Sequence, residues 1–260
     1  MDTARPEQIV PAPHRTASLT RRTRETVVDI YLDIDGTGNS QVSTRFAFLD
    51  HCLETLALHG AFDLRLKVDS PRPDLHHCAE DAGWAFGTAL RRCLGTYNAG
   101  MEPECGVGKP GHGHDMDLRC RATGEAGYSC TGEPDSNHEG AAMSLVYAPV
   151  RRFGWATIPF DEVLVLVSLD LIGRPGFYLT PDDGLEHSDL QEFFRAFGGG
   201  AGATLHVQVL RNGNLHHKVE CCFKGLGRAL RDAVVPDLRV KQASVKGSVE
   251  YRTEGTPHES

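Results

Sequence analysis

The chain has 260 residues, 40% of them hydrophobic, and a formal net charge of −8 at pH 7. This length can bury a real hydrophobic core, in one large domain or in two small ones. The negative charge and the lack of a basic stripe with interleaved aromatic residues argue against a nucleic-acid-binding protein. No apolar run approaches membrane-spanning length, and the N-terminal residues lack the apolar core of a secretory signal.

The cysteines indicate a reducing compartment. Five of the eight fall in segments with helical periodicity. These are Cys52, Cys78, Cys93, Cys221 and Cys222. Reduced thiols fit such positions better than a disulfide framework does. We therefore predict a cytoplasmic protein without nucleic-acid or membrane partners.

The N-terminal part of the chain predicts an arm followed by two strands. Residues 1–20 are rich in Pro, Thr and Arg and indicate a flexible arm, with regular structure starting near Arg22. Residues 28–34 alternate between apolar and polar, as a half-buried strand does. The Asp-Gly-containing stretch 35–39 predicts a hairpin turn, which makes residues 42–46 the return strand.

A helix, a strand and a second helix are predicted next. The first helix runs from Phe48 to Gly60 and carries His51, and the strand covers residues 62–68. The second helix begins at His76 and ends near Leu94. Its start coincides with a His-His-x-x-Glu motif.

Residues 95–150 differ from the rest because glycine is dense and no periodicity holds. A structureless loop of this length is rare inside a compact domain, so the segment is predicted to be a disordered insertion, or an intron retained by a gene model. It contains Cys105, His112, His114, Cys120, Cys130 and His138. A zinc site there is disfavoured because no Cys-x-x-Cys pair is present.

Regular pattern returns after the insertion. Strands are predicted at 155–159, 165–171 and 203–210, a loop at 176–187, a helix at 188–198 and a last helix from His216 to Val234. A polar tail covers residues 248–260.

One motif occurs twice and suggests an internal duplication. His76-His77-x-x-Glu80 and His216-His217-x-x-Glu220 each follow a strand-like stretch and open an amphipathic helix. Residues three and four apart share a helix face, while successive residues point about 100° apart. One such helix end could therefore supply ligands to two different metal ions.

The candidate ligands are six imidazoles and two carboxylates. They are His51, His76, His77, Glu80, His206, His216, His217 and Glu220. This set is sufficient for two octahedral ions with positions left for substrate. Imidazole with carboxylate suits Mn, Fe, Zn or Co, and no cysteine belongs to the set.

At these residues the sequence resembles the imidazoleglycerol-phosphate dehydratase family. The matching stretches follow the family order over residues 21–94 and 151–247. They are Arg21-Arg22-x-x-Glu25-Thr26, Phe48-Leu49-Asp50-His51, Leu58-His59-Gly60-x-Phe62-Asp63, His76-His77-x-x-Glu80-Asp81, Arg152-Phe153-Gly154, Ser168-Leu169-Asp170-Leu171-x-Gly173-Arg174-Pro175, Thr204-Leu205-His206-Val207, His216-His217-x-x-Glu220-x-x-Phe223-Lys224 and Ser244-x-Lys246-Gly247.

The resemblance implies a fold and an assembly. The fold is α+β, a duplicated half-domain in which each half is a small mixed β-sheet packed on two helices. We expect the first half at 21–94 and the second at 151–247. Family members form shells of twenty-four subunits built from trimers, with active sites shared between subunits, so a homo-oligomer is expected.

The resemblance also implies a reaction. It is the loss of water from D-erythro-imidazole-glycerol phosphate, with two Mn(II) ions per subunit bound by the eight candidate ligands. No carbonyl acidifies the proton that is removed, so the imidazole ring of the substrate has to accept the electrons, and a Lewis acid assists. Glu25 is the candidate general base. His59, Asp81 and Asp50 are candidates for proton relay or for orienting other groups.

The phosphate is expected to meet positively charged and hydroxyl groups. The matching positions are Arg152, Arg174, Lys224, Ser244 and Lys246. The chain departs from the family at Leu75 and Val245, in a shorter loop after Pro175, and in the long insertion. Two alternatives remain at this stage: a dinuclear metal phosphohydrolase, and an inactive metal-binding relative with the same shell.

Overall fold

The computed structural model describes residues 14–95, 150–180, 184–185, 188–237 and 239. The predictions for the insertion, its zinc candidates and the polar tail lie outside these ranges. Among the described residues, no helix has both the length and the apolar character that crossing a membrane requires.

The first half is a mixed four-stranded sheet with two helices. Its elements are β1 (Thr16–Arg22), β2 (Val27–Asp33), β3 (Ser40–Ser43), α1 (Ala47–Gly60), β4 (Asp63–Asp69) and α2 (Leu75–Cys93). The strand order is β1-β2-β4-β3. β2 pairs antiparallel with β1 and β4, whereas β3 pairs parallel with β4.

The second half repeats this topology element for element. It consists of β5 (Phe153–Phe160), β6 (Val163–Asp170), β7 (Gly176–Thr180), α3 (Gln191–Ala201), β8 (Thr204–Arg211) and α4 (Leu215–Ala233). The order β5-β6-β8-β7 has the same antiparallel and parallel pairs. The predicted duplication and the α+β fold class are confirmed.

Alternation along the strands explains why the sheets bury one face. In β2, Val28, Ile30 and Leu32 are buried, while Asp29 between them is exposed. Because side chains alternate across a strand, the apolar face packs on the helices. The opposite face of each sheet remains at the surface of the subunit.

The two halves are joined through their helices. α1 packs against α4, and α2 packs against α3. The helices approach closely at glycines: a Cβ atom at Gly87 of α2 would lie 2.5 Å from the carbonyl oxygen of Phe197. A Cβ atom at Gly227 of α4 would lie 2.4 Å from the carbonyl oxygen of Leu56. These contacts bring the helix starts of different halves near one another.

A buried arginine also links the ends of the described chain. Arg15 binds the Asp35 carboxylate, with distances of 2.9 Å from Nε and 2.6 Å from Nη2. Its Nη1 donates to the carbonyl oxygen of Val234 at 2.8 Å, just after α4. The start of β1 is therefore tied to the end of the second half.

Two predictions for the first half are wrong. Among the described residues, β1 begins at Thr16, so residues 16–20 belong to this strand and not to a flexible arm. The stretch 35–39 does not form a hairpin, because β4 lies between β2 and β3. Instead, the Asp63 carboxylate at the start of β4 accepts the backbone N–H groups of residues 37–39, which reverses the chain without strand pairing.

Two predictions for the second half also need correction. Residues 176–180 form strand β7 and not a loop. The third helix runs to Ala201 and does not end at Gly198. Its glycines lie inside the helix because the partner helix is close: a Cβ atom at Gly200 would lie 2.5 Å from the carbonyl oxygen of Trp84. The left-handed residue that ends the helix is Gly202, with φ of 64°.

Candidate metal and substrate site

The start of α4 carries the second His-His-x-x-Glu motif. Asn214 caps the helix by accepting the backbone N–H of His216 at 2.8 Å. This places His216 at the exposed end and Glu220 one turn further on, where it is buried. α1 contributes His51, whose Nε2 lies 3.4 Å from Glu220 Oε1, and His216 Nε2 lies 3.6 Å from Glu220 Oε2. Predicted ligands from both halves therefore meet at one carboxylate.

Lys224 is the partner of Glu220 on the same helix. Its Nζ lies 2.9 Å from Glu220 Oε1 and 3.5 Å from the centre of the Phe160 ring. Burial by itself would raise the pKa of Glu220, but Lys224 and then His51 outweigh it and lower the pKa. Glu220 is therefore an anion at neutral pH, ready to bind a cation. Lys224, predicted for phosphate, is occupied by this carboxylate here.

His59 lies near the same charges, half-buried at the end of α1. Burial lowers the pKa of His59, and the positive charges of Lys224 and Arg228 lower it further. The ring is therefore neutral at pH 7 and can accept a proton.

The start of α2 carries the first motif, beside the predicted base. His77 Nε2 lies 3.4 Å from Glu25 Oε2, and His76 Nδ1 lies 3.8 Å from Asp189 Oδ1. Glu80 is half-buried one turn along the helix. Asp189 was not predicted, because it precedes α3 and reaches α2 only through the packing of the two helices.

Asp81 is a buried acceptor for the turn that carries Glu25. Its carboxylate binds Arg21 Nη1 and Thr26 Oγ1, and Thr23 Oγ1 at 3.3 Å. Thr23 Oγ1 accepts in turn the backbone N–H of Glu25 at 3.2 Å. These contacts are those of an orienting residue, one of the two roles proposed for Asp81. Asp50 similarly accepts the backbone N–H and the hydroxyl of Thr44, both at 2.6 Å.

His206 lies on the outer face of the second sheet. Its ring stacks on Tyr178 with centroids 4.7 Å apart. Both line a cavity of about 660 Å³ together with Trp155 and with Arg174, which was predicted for phosphate. Arg174 is exposed there, so its guanidinium is accessible to an anion.

The remaining phosphate candidates differ in position. Arg152 makes a bidentate pair with Asp170, at 2.5 Å from Nε and 2.8 Å from Nη2. It is thereby held at the start of β5, in a backbone conformation with φ of 73°. Ser244 and Lys246 lie outside the described residues.

The cysteines near the motifs are poor metal ligands. Burial raises the pKa of Cys78 and raises that of Cys221 to about 11. Thiolates are therefore disfavoured at neutral pH. The donors that remain at both helix starts are imidazoles and carboxylates, as predicted.

One group in the described part of the chain brings three ligand atoms within 4.8 Å of one another, and it contains only one predicted ligand. It consists of Asp161, Glu162 and His217. His217 Nδ1 lies 2.9 Å from Glu162 Oε2, and His217 Nε2 lies 3.7 Å from Asp161 Oδ2. The backbone N–H groups of Asn214 and of Glu162 itself, followed by the His217 ring, lower the pKa of Glu162 to about 2. Asp161 and Glu162 lie between the strands predicted at 155–159 and 165–171, where no sequence motif marks them as ligands.

The fold and these helix starts define a class: duplicated α+β proteins with paired His-His-x-x-Glu motifs. The family model described as imidazoleglycerol-phosphate dehydratase matches residues 44–102 and 140–230. A protein named imidazoleglycerol-phosphate dehydratase from Xanthobacter autotrophicus is 36% identical over 230 residues, covering 86% of this chain and 91% of that protein. Its namesake from Methylorubrum populi is 34% identical over 244 residues, covering 90% of this chain and 100% of that protein.

Solved structures agree with these matches. The dehydratase of Pyrococcus furiosus, in complex with (S)-C348, is 28% identical with a TM-score of 0.60, covering 88% of this chain and 99% of that one. The Staphylococcus aureus structure, with 24% identity, a TM-score of 0.54 and coverage of 84% and 99%, supports the fold. The chain therefore belongs to the imidazoleglycerol-phosphate dehydratase family. The predictions of this family, and of an enzyme of the hydro-lyase class, are confirmed.

Proposed function

We propose that this chain is a metal-dependent dehydratase of histidine biosynthesis, which converts D-erythro-imidazole-glycerol phosphate to imidazole-acetol phosphate and water. The observation that carries the proposal is the meeting of His51, His216 and Glu220 from two helices of different halves, in a chain of this family. A carboxylate between two imidazoles is a suitable start for a divalent metal site.

The donor chemistry fits manganese. The proposed ligands of two Mn(II) ions per subunit are His51, His76, His77, Glu80, His206, His216, His217 and Glu220. Bound Mn(II) would supply Lewis-acid stabilisation of the charge that develops on the substrate. The ionised state of Glu220 and the protonated thiols nearby support oxygen and nitrogen ligation.

Glu25 is the proposed general base. It lies on an exposed turn with its carboxylate 3.4 Å from the His77 ring, so it can approach a substrate that binds at the metal. His59 is a second candidate for proton transfer; burial and the nearby cations lower the pKa of its ring and so favour the neutral form. Asp81 orients the turn of Glu25 through the threonine contacts described above.

Arg174 is the proposed main phosphate ligand among the described residues, because it is exposed at the cavity that also contains His206. Arg152 and Lys224 are paired with carboxylates, and they are proposed as further phosphate contacts. Ser244 and Lys246 remain proposed phosphate contacts of the C-terminal segment.

We further propose a cytoplasmic homo-oligomer of twenty-four subunits built from trimers, with the closed symmetry that is usual for homo-oligomers. The eight proposed ligands do not close a compact site within the described part of one chain, which is expected if subunits share sites. Exposed aromatic side chains beside His206 also favour a covered face: Phe153 is 53% exposed, Trp155 67% and Tyr178 55%.

A turnover assay with Mn-loaded protein tests the function. We expect ketone formation from imidazole-glycerol phosphate without release of inorganic phosphate, and two Mn ions per subunit by elemental analysis. His216→Ala should abolish turnover and lower the Mn content, whereas Asp232→Asn, at an exposed position late in α4, should change neither. Free phosphate as the product would indicate a phosphohydrolase, and Mn binding without either product would indicate an inactive relative.

A further inference from the structure

Glu162 occupies an unusual position for a turn residue. It lies in the two-residue turn between β5 and β6, where Phe160 pairs with Val163. Its Oε2 lies 2.9 Å from His217 Nδ1, and its Oε1 accepts the backbone N–H of Asn214 at 2.6 Å. One carboxylate thus contacts both the cap and the second histidine of α4.

The local backbone is shaped to admit this carboxylate. A Cβ atom at residue 213 would lie 2.4 Å from Glu162 Oε1, so the glycine there leaves room for the side chain. On the other side, Asp161 has φ of 48°, a left-handed conformation that is uncommon for a residue with a side chain. Such conformations persist where the surrounding structure requires them.

The hydrogen bond selects one form of the imidazole. A neutral ring has one N–H donor and one nitrogen lone pair. A carboxylate accepts but cannot donate, so Glu162 favours the tautomer with the proton on Nδ1. The lone pair is then on Nε2, which is the atom that can bind a metal ion.

We propose that Glu162 is a positioning residue for His217, which fixes the ring and its tautomer so that Nε2 faces a divalent metal ion. The proposal rests on the metal site of the proposed function and assigns a residue to it that is not itself a ligand. Carboxylates in this position raise the basicity of a metal-binding histidine and set its direction.

The first half supports this assignment with a different residue. There, Asp74 both caps α2, accepting the His77 N–H at 3.1 Å, and lies 3.2 Å from His77 Nδ1. In the second half the cap is the neutral Asn214, and Glu162 reaches in from the neighbouring turn. In both halves a carboxylate therefore lies at Nδ1 of the second histidine.

The same three side chains allow a competing arrangement, in which Asp161 and Glu162 bind the metal directly with His217. The two arrangements differ in what Asp161 does. If Glu162 only positions His217, metal binding needs Glu162 but not Asp161, whose carboxylate is 3.7 Å from His217 Nε2. If Asp161 and Glu162 bind the metal directly, metal binding needs both carboxylates.

The experiment compares Glu162→Ala with Asp161→Gly, a matched variant that removes a carboxylate from the same turn. Glycine suits the left-handed backbone at this position. Mn(II) affinity of the full-length protein is measured by the paramagnetic resonance signal of free Mn(II). We expect the dissociation constant to rise roughly 10–100-fold in Glu162→Ala, the usual effect of losing such a partner, and to change less than about threefold in Asp161→Gly.

Equal weakening in both variants, or unchanged affinity in Glu162→Ala, would overturn the proposal. The structure of the Mn-loaded wild type is a second measurement: Mn on His217 Nε2 with Glu162 on Nδ1 supports it, and Mn bound to Glu162 refutes it. Turnover of the wild type separates the two proposals. A wild type that binds Mn but does not dehydrate the substrate refutes the proposed function alone, whereas full activity with unchanged affinity in Glu162→Ala refutes only the positioning role.

Discussion

Asp81 shows how one buried residue can connect α2, which carries the first His-His-x-x-Glu motif, with the proposed base Glu25. It follows the proposed ligand Glu80 on α2. Its carboxylate accepts hydrogen bonds from Arg21 at the end of β1 and from Thr23 and Thr26 on either side of Glu25. A carboxylate with both oxygens engaged in this way is better suited to fixing the turn than to carrying a proton. These contacts tie the turn to the start of α2.

We predict that Asp81→Asn destabilises the protein and Glu25→Gln does not. Asp81 and Arg21 are 8% and 11% exposed at their side chains, and removing one charge of a buried pair costs about 3–5 kcal/mol. Glu25 is exposed, so its variant should keep the thermal midpoint while kcat falls by the ~10²–10⁴-fold typical of a general base. Thermal unfolding and turnover are measured on the same preparations.

The variants Asp81→Asn and Glu25→Gln also distinguish the possible roles of these two residues. An Asp81→Asn variant with a lower kcat and an unchanged thermal midpoint would contradict the orienting role and favour a proton relay. If Glu25→Gln kept a near-normal kcat but lost Mn, Glu25 would be a metal-shell residue, and the base would have to be sought elsewhere.

At the scale of elements, the helix pairs depend on small residues where backbones touch. Gly87 faces the backbone of α3, and Gly227 faces the backbone of α1. They lie at matching places in the two repeated helices. Because a backbone neighbour cannot rotate away as a side chain can, any Cβ atom there must push the helices apart.

We predict that Gly227→Ala destabilises the protein by about 1–3 kcal/mol, the usual cost of overpacking. Its Cβ atom would lie 2.4 Å from the Leu56 carbonyl oxygen and 3.0 Å from the Gly60 nitrogen. The higher helix propensity of alanine, about 1 kcal/mol, offsets only part of this. The thermal midpoint at matched protein concentration should fall.

Activity provides a second measurement on the same variant. α1 carries His51 and α4 carries His216 and Glu220, so displacing the two helices should weaken Mn binding as well. Asp232→Ala, at an exposed position of α4, is the control and should leave both unchanged. A Gly227→Ala protein with wild-type stability would show that the helices can separate at no cost.

At the scale of the whole molecule, the two halves form one interlocked unit into which a long segment is inserted. The family model matches up to residue 102 and again from residue 140, so residues 103–139 have no counterpart in it. Every proposed metal ligand lies outside the segment. The elements on either side pack on helices: α2 packs against α3, and β5 packs against α4.

We predict that replacing residues 96–149 with a short Gly-Ser linker leaves kcat within a few fold. The reason is that all eight proposed ligands, and the glycines at which the helices meet, lie outside the segment. A chain with the same residues in scrambled order is the control, and it should behave like the linker variant. Loss of soluble assembly in both, measured by size-exclusion chromatography, would mean that the segment has a specific structural role.

The sequence by itself determined those features that depend on local periodicity and capping. The amphipathic stretch after each motif predicted both His-His pairs at helix starts, and Asp74 and Asn214 cap these two helices in the structure. The repeat itself predicted the duplicated fold, because two segments with the same order of apolar and polar residues bury the same faces of their strands and helices. The buried alternation of β2 was likewise evident from its residues.

Only the tertiary structure decided which elements lie side by side. β3 pairs with β4 and not with β2, a choice made by the sheet as a whole, and the strand at 176–180 forms because β8 lies beside it. Glu162 reaches His217, and Asp189 approaches His76, across gaps in the chain that no local pattern spans. Contacts between distant segments depend on packing and backbone shape, which a linear pattern of residues does not specify.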